Sequence, residues 1–238
     1  IQDHDRGVIV GRRTFGKGLV QRPIPFPDGS MIRLTVSRYY TPSGRTIQKP
    51  YKPGESDDYQ LDILHRYEAG EFSSVDSVHF DQSQKVTTLK NGRTIYGGGG
   101  IMPDVFVPID TTLLTPYYRD LVAKGILNRF VVHYVDDNRN KLKKEYNNEE
   151  KFVEQFAVTP DMLDEIKRLA VNDSIKYDES QAEKSRILIE SNIKGLIGRD
   201  LFENGTYSRI INPLDPIFAE AVKVITDPER YDSILKRR

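Results

Sequence analysis

The stretch Gly11 to Gln21, GRRTFGKGLVQ, sets a lysine between two glycines and a glutamine four residues further on. A lysine so placed is a phosphate clamp, a catalytic base or a surface residue of a hairpin. Gly11, Gly16 and Lys17 fit the spacing of a Walker A loop, but Gly18 stands where a Ser or Thr must bind Mg²⁺. A P-loop must also open a helix, whose N-terminal N–H groups hold the phosphate. Here Pro23 and Pro25 follow within a few residues, which favours an extended strand. The base reading fits better. In an extended segment alternate side chains share a face, so Lys17, Leu19 and Gln21 project together and the Gln21 amide can steer the lysine amine. A neutral lysine amine can take a proton from a serine hydroxyl, and burial in an apolar pocket favours that neutral form.

The elements that must hold this lysine are strands. Val8 to Val10 is a short apolar run of the kind that forms a buried strand. Leu19–Phe26 and Met31–Tyr40 flank Pro27-Asp28-Gly29-Ser30, where Pro fixes φ and Gly accepts positive φ, so a hairpin is expected. Ile32, Leu34 and Val36 alternate with polar residues, the pattern of a half-buried strand. Residues 49–85 read as an insertion: Pro50, Pro53 and Gly54 open a loop, and Asp57–Ala69 forms a helix with Leu61, Leu64 and Tyr67 on one face, stopped by Gly70. Val86–Leu89 and Arg93–Tyr96 around Asn91-Gly92 predict a second hairpin with a type I′ turn. Gly97–Gly100 is either a loop that approaches a ligand or a tight connection, and the second use is favoured. Asp104 is read as a structural carboxylate capping nearby N–H groups rather than as an acid catalyst.

From residue 111 the period becomes helical. Ile126, Leu127, Phe130, Val131 and Tyr134 recur at helical spacing, as do Ile189, Ile193, Leu196, Ile197 and Leu201. Asn147 or Asn148 can cap one helix, Thr159-Pro160 starts another, and Asp215-Pro216 starts a last helix through about Ile225.

The 238 residues carry 35 basic and 35 acidic side chains, so the formal charge is zero and nothing attracts nucleic acid or an anionic membrane. No cysteine is present, which excludes disulfides and thiol catalysis. No apolar run approaches the roughly 20 residues of a membrane span. His4, His65, His79 and His133 are scattered, without metal-ligand spacing, so no histidine metal site is expected.

Several segments together resemble one known family. RTFGKGLVQ (Arg13 to Gln21) is similar to the lysine motif of the carboxyl-terminal processing (tail-specific) serine proteases, peptidase family S41. Arg6–Gly11 resembles the strand before that motif, and Asp28-Gly29-Ser30 with Ile32–Thr35 resembles the hairpin after it. Arg38–Gln48, RYYTPSGRTIQ, and Gly99–Val105, GGIMPDV, resemble two later stretches in the same order.

The resemblance implies a serine endopeptidase acting on polypeptides near their C-termini, with Lys17 as general base, Gln21 as its orienting residue and no cofactor. It implies an α+β or α/β chain: later strands of a ClpP/crotonase-like catalytic domain over 1–110, then a mostly helical region over 111–238. In the family the nucleophilic serine, the oxyanion hole and a PDZ domain precede the lysine. None of the sixteen residues before Lys17 is serine, so this chain is expected to be the C-terminal part of the enzyme and inactive alone. Ser30, Ser37 and Ser43 are not expected to be nucleophiles. The resemblance further implies a bacterial cell-envelope location, and strands left without neighbours imply self-association. The rival reading is a non-catalytic protein-interaction module in which Lys17 is structural.

Overall fold

The structure, a computed structural model, describes residues 1–51 and 56–236. The predicted loop residues Pro53 and Gly54 lie outside them. The fold is mixed α+β with a helical C-terminal region, and it divides into two compact units: Ile1–Ile109 with Glu220–Arg238, and Asp110–Ala219. The helical region that begins at 111 is therefore shared between the units.

The first unit contains β1 (Val10–Gly11), β2 (Leu19–Pro25), β3 (Met31–Arg38), helix α1 (Ser56–Glu68), β4 (Lys85–Thr87), β5 (Thr94–Tyr96) and β6 (Val105–Phe106). Among the described residues they form three two-stranded sheets, β1 with β6, β2 with β3 and β4 with β5. β1 and β6 run parallel, with Val10 opposite Val105, so the apolar run at Val8–Val10 contributes a short inner strand.

β2 and β3 form the expected hairpin, with Ile24 opposite Ile32 and Gly29 at φ 86° in its turn. The alternation of apolar and polar residues is present, yet neither face is buried: Met31 is 63% and Val36 54% exposed. The predicted half-buried strand is thus an exposed ribbon, and among the described residues no other strand joins it. Among the described residues β3 has no strand partner on its outer side, whereas Pro23 and Pro25 remove donors from β2.

The second hairpin pairs Val86 with Ile95, but not through a type I′ turn. Gly92 takes positive φ and Asn91 does not. The reason is the Asp5 carboxylate, which accepts from the Asn91 N–H at 2.8 Å and the Lys90 N–H at 3.3 Å and so opens the connection into a wider loop. In α1 the Leu61, Leu64 and Tyr67 stripe is exposed, and the helix is held instead by Arg66, which is buried. Gly70 ends it with φ 78°.

The second unit consists of α2 (Pro116–Ala123), α3 (Ile126–Glu145), α4 (Glu149–Gln155), α5 (Pro160–Asn172), α6 (Glu179–Lys184), α7 (Arg186–Leu201) and α8 (Asn204–Ile211). Start signals written in the sequence are used as such. Thr159 accepts from Met162 N with Pro160 at the first turn, and Asn148 accepts from Lys151 N at 2.9 Å. Leu121, Ile126, Phe152, Ile166, Ile193 and Ile197 are fully buried in one core, each contributing about 1.5–3 kcal/mol of burial. α7 is its axis. Gly198 lets α8 and α4 come close, since a Cβ there would lie 2.7 Å from Thr206 and 2.9 Å from Phe152.

Helix α9 (Pro216–Thr226) starts at the predicted Asp215-Pro216 signal, and Asp215 accepts from Ile217 N at 2.8 Å. It is not the last: Asp227-Pro228 repeats the signal and opens α10 (Pro228–Leu235). Within the first unit the Leu235 carbonyl accepts from the Asn91 amide at 2.5 Å.

Candidate active site

Lys17 sits in the loop between β1 and β2, and both neighbouring glycines are buried and bonded. The Gly18 N–H donates to the Gln48 Oε1 at 2.8 Å, and the Gly18 carbonyl accepts from Tyr39 N at 2.8 Å. The Gly16 carbonyl accepts from Lys49 N at 2.9 Å. Upstream, Thr14 exchanges bonds with Ile101, its N–H donating to the Ile101 carbonyl at 3.0 Å and its hydroxyl accepting from the Ile101 N–H at 2.8 Å. The four-glycine run serves this loop. Gly100, at φ 90°, leaves no room for a Cβ, which would lie 2.1 Å from the Thr14 carbonyl oxygen. At Gly100 the run is a close approach of backbone to backbone.

Charged side chains brace the same loop from the other side. Glu71 accepts from Arg13 at 2.5 Å and from Arg66 at 2.6 Å, and Arg66 donates to the Arg13 carbonyl at 2.9 Å. Burial pushes the Glu71 carboxyl up, but the bonds from Arg13 and Arg66 outweigh it and hold the group below its ordinary value. Phe15 packs edge-on against Tyr59, with the Lys49 ammonium 3.9 Å from the Phe15 ring and 4.0 Å from the Tyr59 ring.

On this fixed backbone Lys17 is exposed, and it makes no hydrogen bond or ion pair with any described residue. Gln21 does not reach it. Its amide nitrogen donates to the Thr35 hydroxyl at 3.4 Å across the hairpin. The shared face expected for Lys17, Leu19 and Gln21 fails at its first member because regular strand begins only at Leu19. The register also shifts between Val20 and Gln21. Each serine nearby in sequence has another acceptor: Ser30 donates to Asp28 at 2.6 Å, Ser37 to the Arg38 carbonyl at 3.5 Å and Ser43 to Asp3 at 2.5 Å.

Beneath the loop lies a buried polar network. Asp3 accepts from the Thr41 and Ser43 hydroxyls and from Arg45 at 2.6 Å. Arg45 also donates to the Gln2 Oε1 at 2.9 Å and the Tyr96 carbonyl at 2.8 Å. Arg93 bridges Asp5 at 2.7 Å and Asp104 at 2.5 Å, and Asp104 caps the Ile9 N–H at 2.8 Å. Asp104 is thus the structural carboxylate that its sequence setting suggests. Gln48 is the residue whose role sequence reading missed. Its amide holds Gly18 and donates to the Lys49 carbonyl at 2.9 Å. Only its place at the end of the RYYTPSGRTIQ stretch pointed to it.

Burial raises the Asp3 carboxyl, but the Ser43 and Thr41 hydroxyls and Arg45 overcome this and lower it well below its usual 3.8; Asp5 is lowered in the same way. A carboxyl depressed by folding stabilises the fold above its unfolded value and ceases to do so as pH falls through its folded value. Thermal melts are therefore expected to fall progressively below about pH 4. Asp3→Asn should show a flatter acid limb than the parent chain. An acid limb unchanged by that substitution would exclude Asp3 as a source.

Residues 1–60 match peptidase family S41, and residues 117–203 match a family of unknown function (DUF8443). The loop that carries Lys17, and the network beneath it as far as Gln48, lie within the residues that match peptidase family S41. The "C-terminal processing peptidase, chloroplastic" of Tetradesmus obliquus is 50% identical over 62 residues, 26% of this chain and 13% of that protein. The "Carboxy-terminal-processing protease" of Bartonella bacilliformis is 52% identical over 48 residues, 20% of this chain and 11% of that protein. A "Probable CtpA-like serine protease" of Staphylococcus saprophyticus is 30% identical over 105 residues, 41% of this chain and 19% of that protein. The chain therefore spans a fifth or less of the length of these relatives. No solved structure matches it. Among the described residues no helix is long and apolar enough to cross a membrane.

Proposed function

We propose that this chain is the C-terminal part of a serine endopeptidase that cleaves polypeptides near their C-termini, with Lys17 as general base. The observation that carries this reading is a lysine held on a doubly clamped backbone, its amine unbonded among the described residues, inside the S41 match. The serine hydroxyl, on a segment of the parent protein outside this sequence, attacks the peptide carbonyl carbon. As the C–O bond forms, the Lys17 amine, exposed in this chain and made neutral by burial beneath that same segment of the parent protein, takes the hydroxyl proton. It returns that proton to the leaving nitrogen as the C–N bond breaks, and water then hydrolyses the ester. Gln21 orients the amine by turning from Thr35, to which its bond is long. The relatives' names support polypeptide substrates, and their bacterial and chloroplast sources accord with a cell-envelope location. The bare outer side of β3 supports self-association of the isolated chain.

A serine-reactive fluorophosphonate is expected to label the full-length protein and not the 238-residue chain. Labelling of the chain itself would place the nucleophile within it and overturn the assignment of the serine to another segment. The exposure of Lys17 favours a second reading, a non-catalytic interaction module. That reading expects no labelling of either form.

A further inference from the structure

The helical unit carries a half-open cleft of about 280 Å³ that the peptidase reading does not use. We propose that it binds an alkylammonium group, the chemistry of a lysine side chain on a polypeptide.

The aromatic part of the cleft comes from Tyr117 and Tyr177, packed edge to face with centroids 5.6 Å apart. Tyr117 is 4% exposed and lines the cleft, yet its hydroxyl makes no hydrogen bond to any described residue. Burial pushes that phenol up to about 12, so it stays neutral and offers its oxygen lone pairs to an N–H donor. The site already shows its preference for a cation, because the Lys167 ammonium lies 3.9 Å from the Tyr177 ring centroid.

Charge bookkeeping at the rim points the same way. Arg186 is engaged by Glu183 at 3.2 Å and Glu190 at 2.8 Å. Asp164 and Glu179 also line the cleft, and neither forms an ion pair with a described residue. Lys167 is thus the single uncommitted cation among the described lining residues against these carboxylates, and the rim is one positive charge short. Leu163 and Ile166 supply an apolar wall for a methylene stem. The volume lies just below the roughly 300–1,000 Å³ of a drug-sized ligand site, which suits one side chain. Lys167, exposed at its own stem, then acts as an internal competitor that swings out when a ligand ammonium enters.

The test uses the whole chain labelled with ¹³C in its tyrosine rings, titrated with acetyl-Ala-Ala-Lys-Ala-Ala-amide, with the same peptide bearing Nε-acetyl-lysine, and with butylammonium. Saturable shifts of Tyr117 and Tyr177 with the lysine peptide, absent with the acetylated one, are expected. Lys167→Met should tighten binding about tenfold by removing the competitor. Asp164→Asn with Glu179→Gln, both surface changes, should weaken it about tenfold. Saturation by butylammonium as well shows that the ammonium suffices, while saturation by the peptide alone shows that backbone contributes; either supports the site. Equal shifts from the acetylated peptide, or no saturation in both the parent chain and Lys167→Met, overturn it.

Discussion

Lys17→Ala in the full-length protein is expected to lower turnover of a peptide substrate by about 10²–10⁴, the usual contribution of a general base. The fold should be untouched. Lys17 is exposed and unbonded among the described residues, so truncation removes an amine and no packing. What holds the loop lies in other residues: Gly16 on Lys49, Gly18 on Gln48 and Tyr39, Thr14 on Ile101, and Arg13 on Glu71. The melting temperature should therefore stay within the error of the parent while kcat collapses. Substrate affinity should change little, because an amine that acts on the attacking hydroxyl does its work in the transition state. Near-parental kcat in Lys17→Ala would remove the base role and leave the interaction-module reading standing.

The second large effect falls on stability. Arg93→Met is expected to cost about 3–5 kcal/mol, the penalty of leaving a buried ion without its counterion. Arg93 is buried between Asp5 and Asp104, whose side chains are 0% and 6% exposed. Removing the guanidinium leaves both carboxylates desolvated, and Asp5 also holds the Asn91 turn while Asp104 holds Ile9. Urea denaturation reads the loss directly. The comparison is Arg168→Met, which breaks an exposed pair with Glu165 and should leave the urea midpoint almost unchanged. Equal effects for the two arginines would mean that the network contributes no more than surface charge.

The helical unit was the more legible half because its signals are local. Thr159-Pro160 and Asp215-Pro216 cap helices through atoms a few residues away, and a spacing such as Ile189, Ile193 and Ile197 needs only helix geometry to define a buried stripe. Asp227-Pro228 carried the same signal and went unread. The first unit depends on partners far apart in sequence. Asn91-Gly92 has the residues of a tight turn, but a carboxylate from Asp5 decides its shape. Strand alternation in β3 is real, yet alternation cannot say whether anything covers either face. Lys17 and Gln21 are legible as residue types, and their orientation is not, because Gly18 turns toward Gln48 before regular strand begins. The stretches resembling the family turn out to build scaffold as much as site: Thr41, Ser43 and Arg45 converge on Asp3, and Asp104 on Arg93.

The division of the chain into units also governs the order of events on the ribosome. Everything the helical unit buries is encoded between Asp110 and Ala219, so that unit can close while translation continues. Residues 1–109 emerge before that unit and cannot finish, because they await α10 and the Leu235 carbonyl for Asn91. At about 5–20 residues per second, that interval is on the order of ten seconds. Through it the Asn91 amide lacks its Leu235 partner, so a holding chaperone should engage residues 1–109 and ignore the helices made after them.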